Sequence, residues 1–152
     1  KPCGLMDQTA CAVGGFITID FKDPSSPVIE KIDFDLTKAG YNLCIVNTGG
    51  NHANLNDDYA SIPAEMKSVA RELGANVLRE TSSDALAKAL AERGAEMREK
   101  LGDRAILRAF HFFNENERVD AQVKALKSGD IDGFMSGVVA SGNSSFKFLQ
   151  NV

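Results

Sequence analysis

The residue best suited to chemistry is Asp7, which lies in the opening stretch KPCGLMDQ at residues 1–8. The Pro-Cys-Gly turn and the apolar, helix-prone residues after it predict a short helix that ends at Gly14-Gly15. Asp7 would then occupy the first helical turn, where the backbone dipole favours a negative side chain. This makes Asp7 the best candidate for chemistry in the chain, although from the spacing alone an acid that only stabilises its helix is the preferred interpretation.

The elements that position Asp7 begin with strands. Residues 15–21 alternate between two faces and predict a half-buried strand. Two prolines and two serines at 22–27 indicate a turn, and residues 28–36 resume an extended pattern, so the two segments predict a hairpin. The four consecutive apolar residues within 41–47 predict a further strand covered on both faces, with Cys44 in the core.

From residue 56 onward the apolar residues follow a helical period. The first helix would end at Gly74, and Pro63 would lie in its first turn or kink a helix that begins near Asp57. Its stripe comprises Ile62, Met66, Val69, Ala70 and Leu73. A segment capped by Ser82 or Ser83 would follow up to Gly94, and then a short charged helix that contains Met97 and Leu101.

Two more helices are predicted towards the end of the chain. A long amphipathic helix would run from Ile106 to Leu126, with Gly129 just past its end. Asp130 would cap the next helix, which residues 141–143 (Ser-Gly-Asn) would break before a last turn. We expect the aromatic side chains of this region to belong to the core.

Residues 48–54 (TGGNHAN) form the second candidate site, because two glycines after a strand can let the backbone approach a ligand. The stretch lacks the Lys and Ser/Thr spacing of a phosphate-binding loop, so an ordinary loop is the preferred interpretation. His52 has no ligand partner at metal-binding spacing, and we expect it to be a loop residue. No metal site is predicted in the chain.

The composition excludes several classes of function. The net charge is -4 and no Lys/Arg run occurs, so nucleic acid is not an expected partner. Three cysteines without paired spacing argue against a disulfide framework or zinc site and favour a reducing cytoplasm. No apolar run reaches the ~18 residues of a membrane span, so a membrane is not an expected partner either.

The opening stretch also carries a resemblance. Pro-Cys-Gly-(Leu/Ile)-Met-Asp-Gln, followed by small and apolar residues, resembles the sugar-site segment of galactokinases, members of the GHMP superfamily of small-molecule kinases. There the Asp faces the sugar hydroxyl that accepts the phosphoryl group. The resemblance implies that Asp7 is the catalytic base and contacts the substrate, and that Gly4 lets the backbone close on the sugar.

A second, more diffuse resemblance spans the helical half. The stretch from Arg104-Ala105 through His111, then Glu115 and Arg118, then Ala-Leu-Lys-Ser-Gly-Asp at 125–130, is similar to galactokinase sequences. Asn47-Thr48 and Asp58-Tyr59 are also similar to galactokinase residues, and all these stretches occur in the same order along the chain as in galactokinases. The resemblance implies that Tyr59 borders the sugar, whereas its residue type also suits a tyrosine that packs its ring into the core. Residues 141–149 depart from the family pattern, which indicates a divergent branch.

The resemblance implies an α+β fold. Residues 1–47 would form the end of the GHMP N-terminal lobe, with antiparallel strands and the short sugar-site helix, and residues 48–152 the mainly helical first part of the C-terminal lobe. The chain opens inside a motif and closes on an apolar run, which predicts that it is an internal piece of a longer protein. Exposed apolar faces of such a piece would favour self-association.

The implied function is an ATP-dependent sugar kinase that transfers the γ-phosphoryl group to the anomeric hydroxyl of galactose or a related monosaccharide. The glycine-rich ATP motifs of the family, and the Arg partner of its catalytic Asp, do not occur in this sequence. MgATP is therefore expected to bind the full-length parent, no cofactor is expected on this chain, and the isolated chain is expected to be inactive. Alternatives are a sugar- and nucleotide-sensing regulator without turnover, and a GHMP kinase for another small alcohol.

Overall fold

The structure is a computed structural model that describes residues 4–47, 49 and 56–151. It has an α+β fold, as predicted, with a short helix and an antiparallel hairpin followed by a mainly helical part. The helices are α1 (Met6–Val13), α2 (Asn56–Glu72), α3 (Ser83–Leu101), α4 (Asp103–Ser128) and α5 (Ile131–Ser144), and the strands are β1 (Phe16–Asp20) and β2 (Val28–Ile32).

The helix and hairpin predicted for the first part of the chain are confirmed. Helix α1 ends at Gly14, which has a positive φ of 70°. Strands β1 and β2 pair antiparallel, with Phe16 opposite Ile32. Strand β2 is shorter than predicted because the Asp35 carboxylate accepts hydrogen bonds from the backbone N–H groups of Thr37 (2.9 Å) and Lys38 (3.1 Å), which favour a turn.

The long helices follow the predicted apolar stripes. Helix α2 begins at Asn56 and carries Pro63 inside it. The Ser82 hydroxyl accepts the N-cap hydrogen bond of α3 from the Ala85 N–H. The boundary predicted at Gly94 is confirmed as a kink at Arg93, where φ is −142° and two helical segments meet within α3. Helix α4 ends at Gly129, which has the left-handed conformation that favours glycine.

The hydrophobic core lies among α2, α3 and α4 and includes the short 3₁₀ turn Leu78–Glu80. Its most deeply buried large side chains are Val69, Leu86 and Met97. At about 25 cal/mol per Å² of buried apolar surface, such side chains each contribute roughly 1.5–3 kcal/mol to folding. The core therefore fixes the position of α2 relative to α4.

The prediction of a buried strand at 41–47 is wrong. These residues have no regular secondary structure, and Leu43 and Ile45 are 85% and 96% exposed. Cys44 is exposed as well, so its assignment to the core is also wrong. A covered strand needs neighbours on both sides, whereas β1 and β2 pair only with each other among the described residues, and the segment gains no partner.

The predicted break at residues 141–143 is also wrong, because α5 continues to Ser144 and then into a π-helical turn, Ser145–Leu149. Contacts with α4 hold this polar stretch in the helix: Ser141 donates to Glu115 (2.7 Å), and Ser144 hydrogen-bonds His111 (2.9 Å). Phe146, in the π-helical turn, is 68% exposed, so the expectation that the aromatic side chains are core does not hold for it.

The expectations for the loop at 48–54 and for His52 lie outside the described residues, apart from Gly49. The division into two lobes at residue 47 stays a prediction.

Within the described ranges, no helix combines the length and apolar character that a bilayer crossing requires.

Candidate functional site

Asp7 lies in the first turn of α1, as the sequence predicts, and its side chain is exposed. The N-cap residue, Leu5, offers no side-chain oxygen to the first turn, so the carboxylate of Asp7 is the negative charge at this helix start. None of the α1 residues is buried. The helix therefore presents Asp7 to solvent and contacts chiefly β1.

Gly4 is exposed, and a Cβ atom built at this position would meet no atom within 4 Å. The described part of the chain therefore does not require glycine here. Its role in letting the backbone approach a sugar stays a prediction.

Tyr59 lies in the first turns of α2 and is 41% exposed. It lines a cleft of about 220 Å³, which we call the Tyr59 cleft. The other lining residues come from α2, from α4 and from the segment after the π-helical turn: Asp58, Ile62, Arg104, Arg108, Gln150 and Asn151. Asp7 and Gly4 do not line it, so the structure does not bring the three predicted site residues into one cleft.

The floor of the Tyr59 cleft contains a buried arginine that the sequence analysis missed. Arg108 is 3% exposed. Its Nε donates to the backbone carbonyl of Leu149, and one terminal nitrogen donates to Ser61 Oγ and Glu65 Oε2, each at 2.9 Å. A signal for Arg108 was present in the sequence, because residues 108–111 have the order Arg-Ala-x-His that resembles galactokinases and lies within the stretch from Arg104 to His111.

Glu65 joins this buried cation to a second one. Arg104 Nε donates to Glu65 Oε1 at 3.0 Å, so one carboxylate bridges two guanidinium groups of α4. The hydrogen bond and charge of Glu65 raise the pKa of Arg104 above its usual value. Because a buried charge is tolerated only when it is paired and hydrogen-bonded, this cluster fixes the position of α2 relative to α4.

A second polar cluster lies between α4 and α5. His111 is 8% exposed, with its Nδ1 2.9 Å from the Ser144 hydroxyl, and Glu115 and Arg118 form an ion pair one to two turns further along α4. Burial lowers the pKa of His111, the Arg118 charge lowers it further, and the contact with Ser144 acts in the opposite direction. A lowered pKa favours the neutral form of the His111 imidazole.

A larger cleft, of about 490 Å³, separates the hairpin from the helices. Two ion pairs connect the hairpin to the helical part: Arg79 with Asp20 (3.0 Å) and Lys127 with Glu30 (2.7 Å). The N–H of Lys22, followed by Arg79, holds the pKa of Asp20 below its usual value. None of the residues predicted to form the site lines this larger cleft.

Among the described residues, no group of three carboxylate, imidazole or thiol side chains could hold a metal ion.

Comparison with known proteins gives a consistent result. The chain is 32% identical over 151 residues to a galactokinase of Streptomyces coelicolor, which covers 96% of the chain and 36% of that relative. It is 30% identical over 150 residues to a galactokinase of Thermotoga neapolitana, covering 99% of the chain and 39% of the relative. A galactokinase of Actinobacillus pleuropneumoniae is 31% identical over 133 residues, 85% of the chain and 32% of the relative. No family model matches the chain.

These matches cover between 85% and 99% of the chain. The resemblance predicted from the sequence is confirmed: the chain is homologous to a segment of galactokinases. It spans about a third of the length of the curated relatives that it matches.

Proposed function

We propose that this chain is part of a longer, ATP-dependent sugar kinase that phosphorylates galactose or a related monosaccharide at its anomeric hydroxyl. The observation that carries the proposal is the similarity to galactokinases over 96% of the chain. The position of Asp7 supports it, because a carboxylate in the first turn of an exposed helix is accessible to a ligand that approaches from outside this chain.

In this proposal Asp7 is the base. Its carboxylate orients the anomeric hydroxyl and accepts its proton as the hydroxyl oxygen bonds to the γ-phosphorus of ATP and the bond from that phosphorus to ADP breaks, which releases ADP. Gly4 and Tyr59 are proposed to border the sugar. MgATP would supply the phosphoryl group, and we propose that it binds parts of the complete protein other than this chain. The cytoplasmic location and the self-association expected for the isolated chain stay predictions.

The test is Asp7→Asn in the complete protein that carries this chain, assayed with galactose and MgATP. The change keeps the side chain's shape and removes its charge and proton-accepting capacity, so we expect turnover to fall by about 10²–10⁴-fold. Circular dichroism should show an unchanged fold.

The matched control is Asp132→Asn, which removes the same charge from the first turn of α5. It should leave turnover within about twofold of the unmodified protein, because Asp132 is not among the proposed site residues. Near-normal turnover of Asp7→Asn would remove Asp7 from the mechanism. Absence of sugar phosphorylation by the unmodified complete protein would refute the proposed function itself.

A further inference from the structure

Helix α5 presents an outward side without charge over most of its length. Residues 133–146 contain no Asp, Glu, Lys, Arg or His. A surface helix ordinarily carries charged or polar side chains on the side that faces away from the core. Here Val139 and Phe146 are 65% and 68% exposed instead. The outward stripe, which we call the α5 face, comprises Asp132, Met135, Ser136, Val139, Asn143, Phe146 and Lys147.

The contacts of α5 with α4 show that the α5 face points away from the rest of the chain. A Cβ atom built at Gly137 would lie 2.6 Å from Gln122 Cγ, and Ser141 donates a hydrogen bond to Glu115. Val139 is two residues from both Gly137 and Ser141, so at 3.6 residues per turn it points about 160° away from each. The other α-helical members of the α5 face lie within about 60° of Val139 around the helix axis. Helix α4 therefore does not cover this face.

The polar residues of the α5 face have a nearly symmetric order about Val139. Asp132 and Ser136 lie seven and three residues before it, and Asn143 and Lys147 lie four and eight residues after it. Two copies of the helix, packed antiparallel with Val139 at a two-fold axis, would place each Asp132 near Lys147 of the second copy. Each Ser136 would likewise lie near Asn143 of the second copy. Opposite charges meet at both ends of such a contact, and hydrogen-bonding groups meet between them.

Two larger apolar side chains of the α5 face fit the same arrangement. Met135 and Phe146 lie four residues before and seven residues after Val139. Eleven residues are close to three helical turns, so the two side chains lie on the same side of the stripe. The antiparallel contact would bring Met135 of one copy to Phe146 of the other, and a thioether beside an aromatic ring is a favourable pair.

The charges at the two ends of the α5 face are available to a second copy. Among the described residues, neither Asp132 nor Lys147 takes part in an ion pair. Exposed ion pairs contribute little affinity, but complementary charges fix the register of an interface. The apolar centre would supply most of the affinity, and the end charges would select the antiparallel orientation.

We infer that the complete protein forms a two-fold symmetric dimer through antiparallel contact of its α5 faces. A second copy is the occupant because a two-fold interface requires a self-complementary surface, whereas an uncharged stripe offers no attraction to a strongly acidic or basic partner. One helix pair is at the low end of interface sizes, so we expect a Kd of about 1–100 μM. The dimer is independent of the proposed kinase activity, because the α5 face does not include Asp7, Gly4 or Tyr59.

The first test is sedimentation of the complete protein over about 1–100 μM, which should show a monomer–dimer equilibrium. Val139→Glu places two carboxylates side by side at the two-fold axis and should raise the Kd about tenfold or more. The matched control is Val119→Glu, which changes another exposed helical valine, on α4, that lines the larger cleft instead. This control should leave the Kd within about twofold. Circular dichroism checks that each variant is folded.

The second test reverses the end charges and so probes the orientation. Asp132→Lys brings two lysines together at each end of the contact, and Lys147→Asp brings two carboxylates together there. Each single variant should raise the Kd by about 3- to 30-fold. The double variant restores opposite charges at both ends and should return the Kd to within about threefold of the unmodified protein.

A complete protein that stays monomeric at about 100 μM would overturn the inference, because the α5 face is then covered by another part of the protein or by a different partner. A dimer that folded Val139→Glu leaves intact, or that Val119→Glu weakens equally, would also overturn it. A double charge reversal that binds no more tightly than the single variants would refute the antiparallel contact. Sugar phosphorylation is measured separately, so loss of the proposed function would leave the dimer prediction standing.

Discussion

The burial of His111 predicts that this protein loses stability in mild acid. The folded state keeps the imidazole neutral, because burial and the Arg118 charge lower its pKa, whereas the unfolded chain binds a proton with a pKa near 6.5. Below about pH 6.5 the unfolded state therefore holds more protons than the folded state. The free energy of unfolding should fall as the pH is lowered from about 6.5 towards the folded-state pKa.

The size of the stability loss follows from the binding of one proton to one buried imidazole. Between the folded-state and unfolded-state pKa values of His111, the unfolding free energy can change with pH by at most 2.303RT, about 1.4 kcal/mol per pH unit. Carboxylates with lowered pKa values, such as Glu72 and Asp103, lose their stabilising charge only at lower pH. The window from about pH 7 to 5.5 is therefore dominated by histidine, and the chain has two histidines.

The assay is urea unfolding at several pH values in this window, with His111→Gln as the comparison. Glutamine can still hydrogen-bond Ser144 but cannot titrate, so its unfolding free energy should be nearly constant over the window. NMR titration of the single imidazole in a His52→Gln background would report the folded-state pKa of His111 directly. A slope that persists in His111→Gln, or a His111 pKa at or above 6.5, would refute the reasoning.

Two further predictions concern Tyr59 and the core. Tyr59→Phe in the complete protein should raise KM for galactose more than it lowers kcat, with a cost on the order of 0.5–1.5 kcal/mol if a neutral hydrogen bond is lost. Steady-state kinetics measure this, and an unchanged KM in both Tyr59→Phe and Tyr59→Ala would return the residue to a packing role. Leu86→Ala removes a fully buried side chain and should destabilise the fold by about 2–5 kcal/mol in urea unfolding. Leu43→Ala makes the same change at a site that is 85% exposed and should cost less than about 0.5 kcal/mol, so equal losses would contradict the assigned core.

Much of the local structure could be predicted from the sequence, because its causes are local. Helices α2 and α4 follow apolar stripes that repeat with the helical period, and their ends are encoded by residues such as Gly129. The Ser82 and Asp130 side chains cap the helices that follow them, as predicted. The hairpin likewise follows from alternation and a Pro/Ser turn.

The position of Asp7 at a helix start was also a local inference, and the structure places it there. Its partners in a site were not predictable from spacing, and the Tyr59 cleft does not include it. Proximity between distant residues depends on how the elements pack, which local patterns do not specify.

The tertiary structure alone decided three features. Residues 41–47 have the composition of a covered strand, but a strand forms only where another strand or layer accepts it, and these residues are exposed. Arg108 would be expected at the surface by its residue type, yet it is buried because Glu65, Ser61 and the Leu149 carbonyl converge on it from two other elements. Gln150 faces the Tyr59 cleft because α5 continues into a π-helical turn. The sequence by itself determined periods, caps and turns, whereas the burial of the Arg108 charge depends on residues more than forty positions away along the chain.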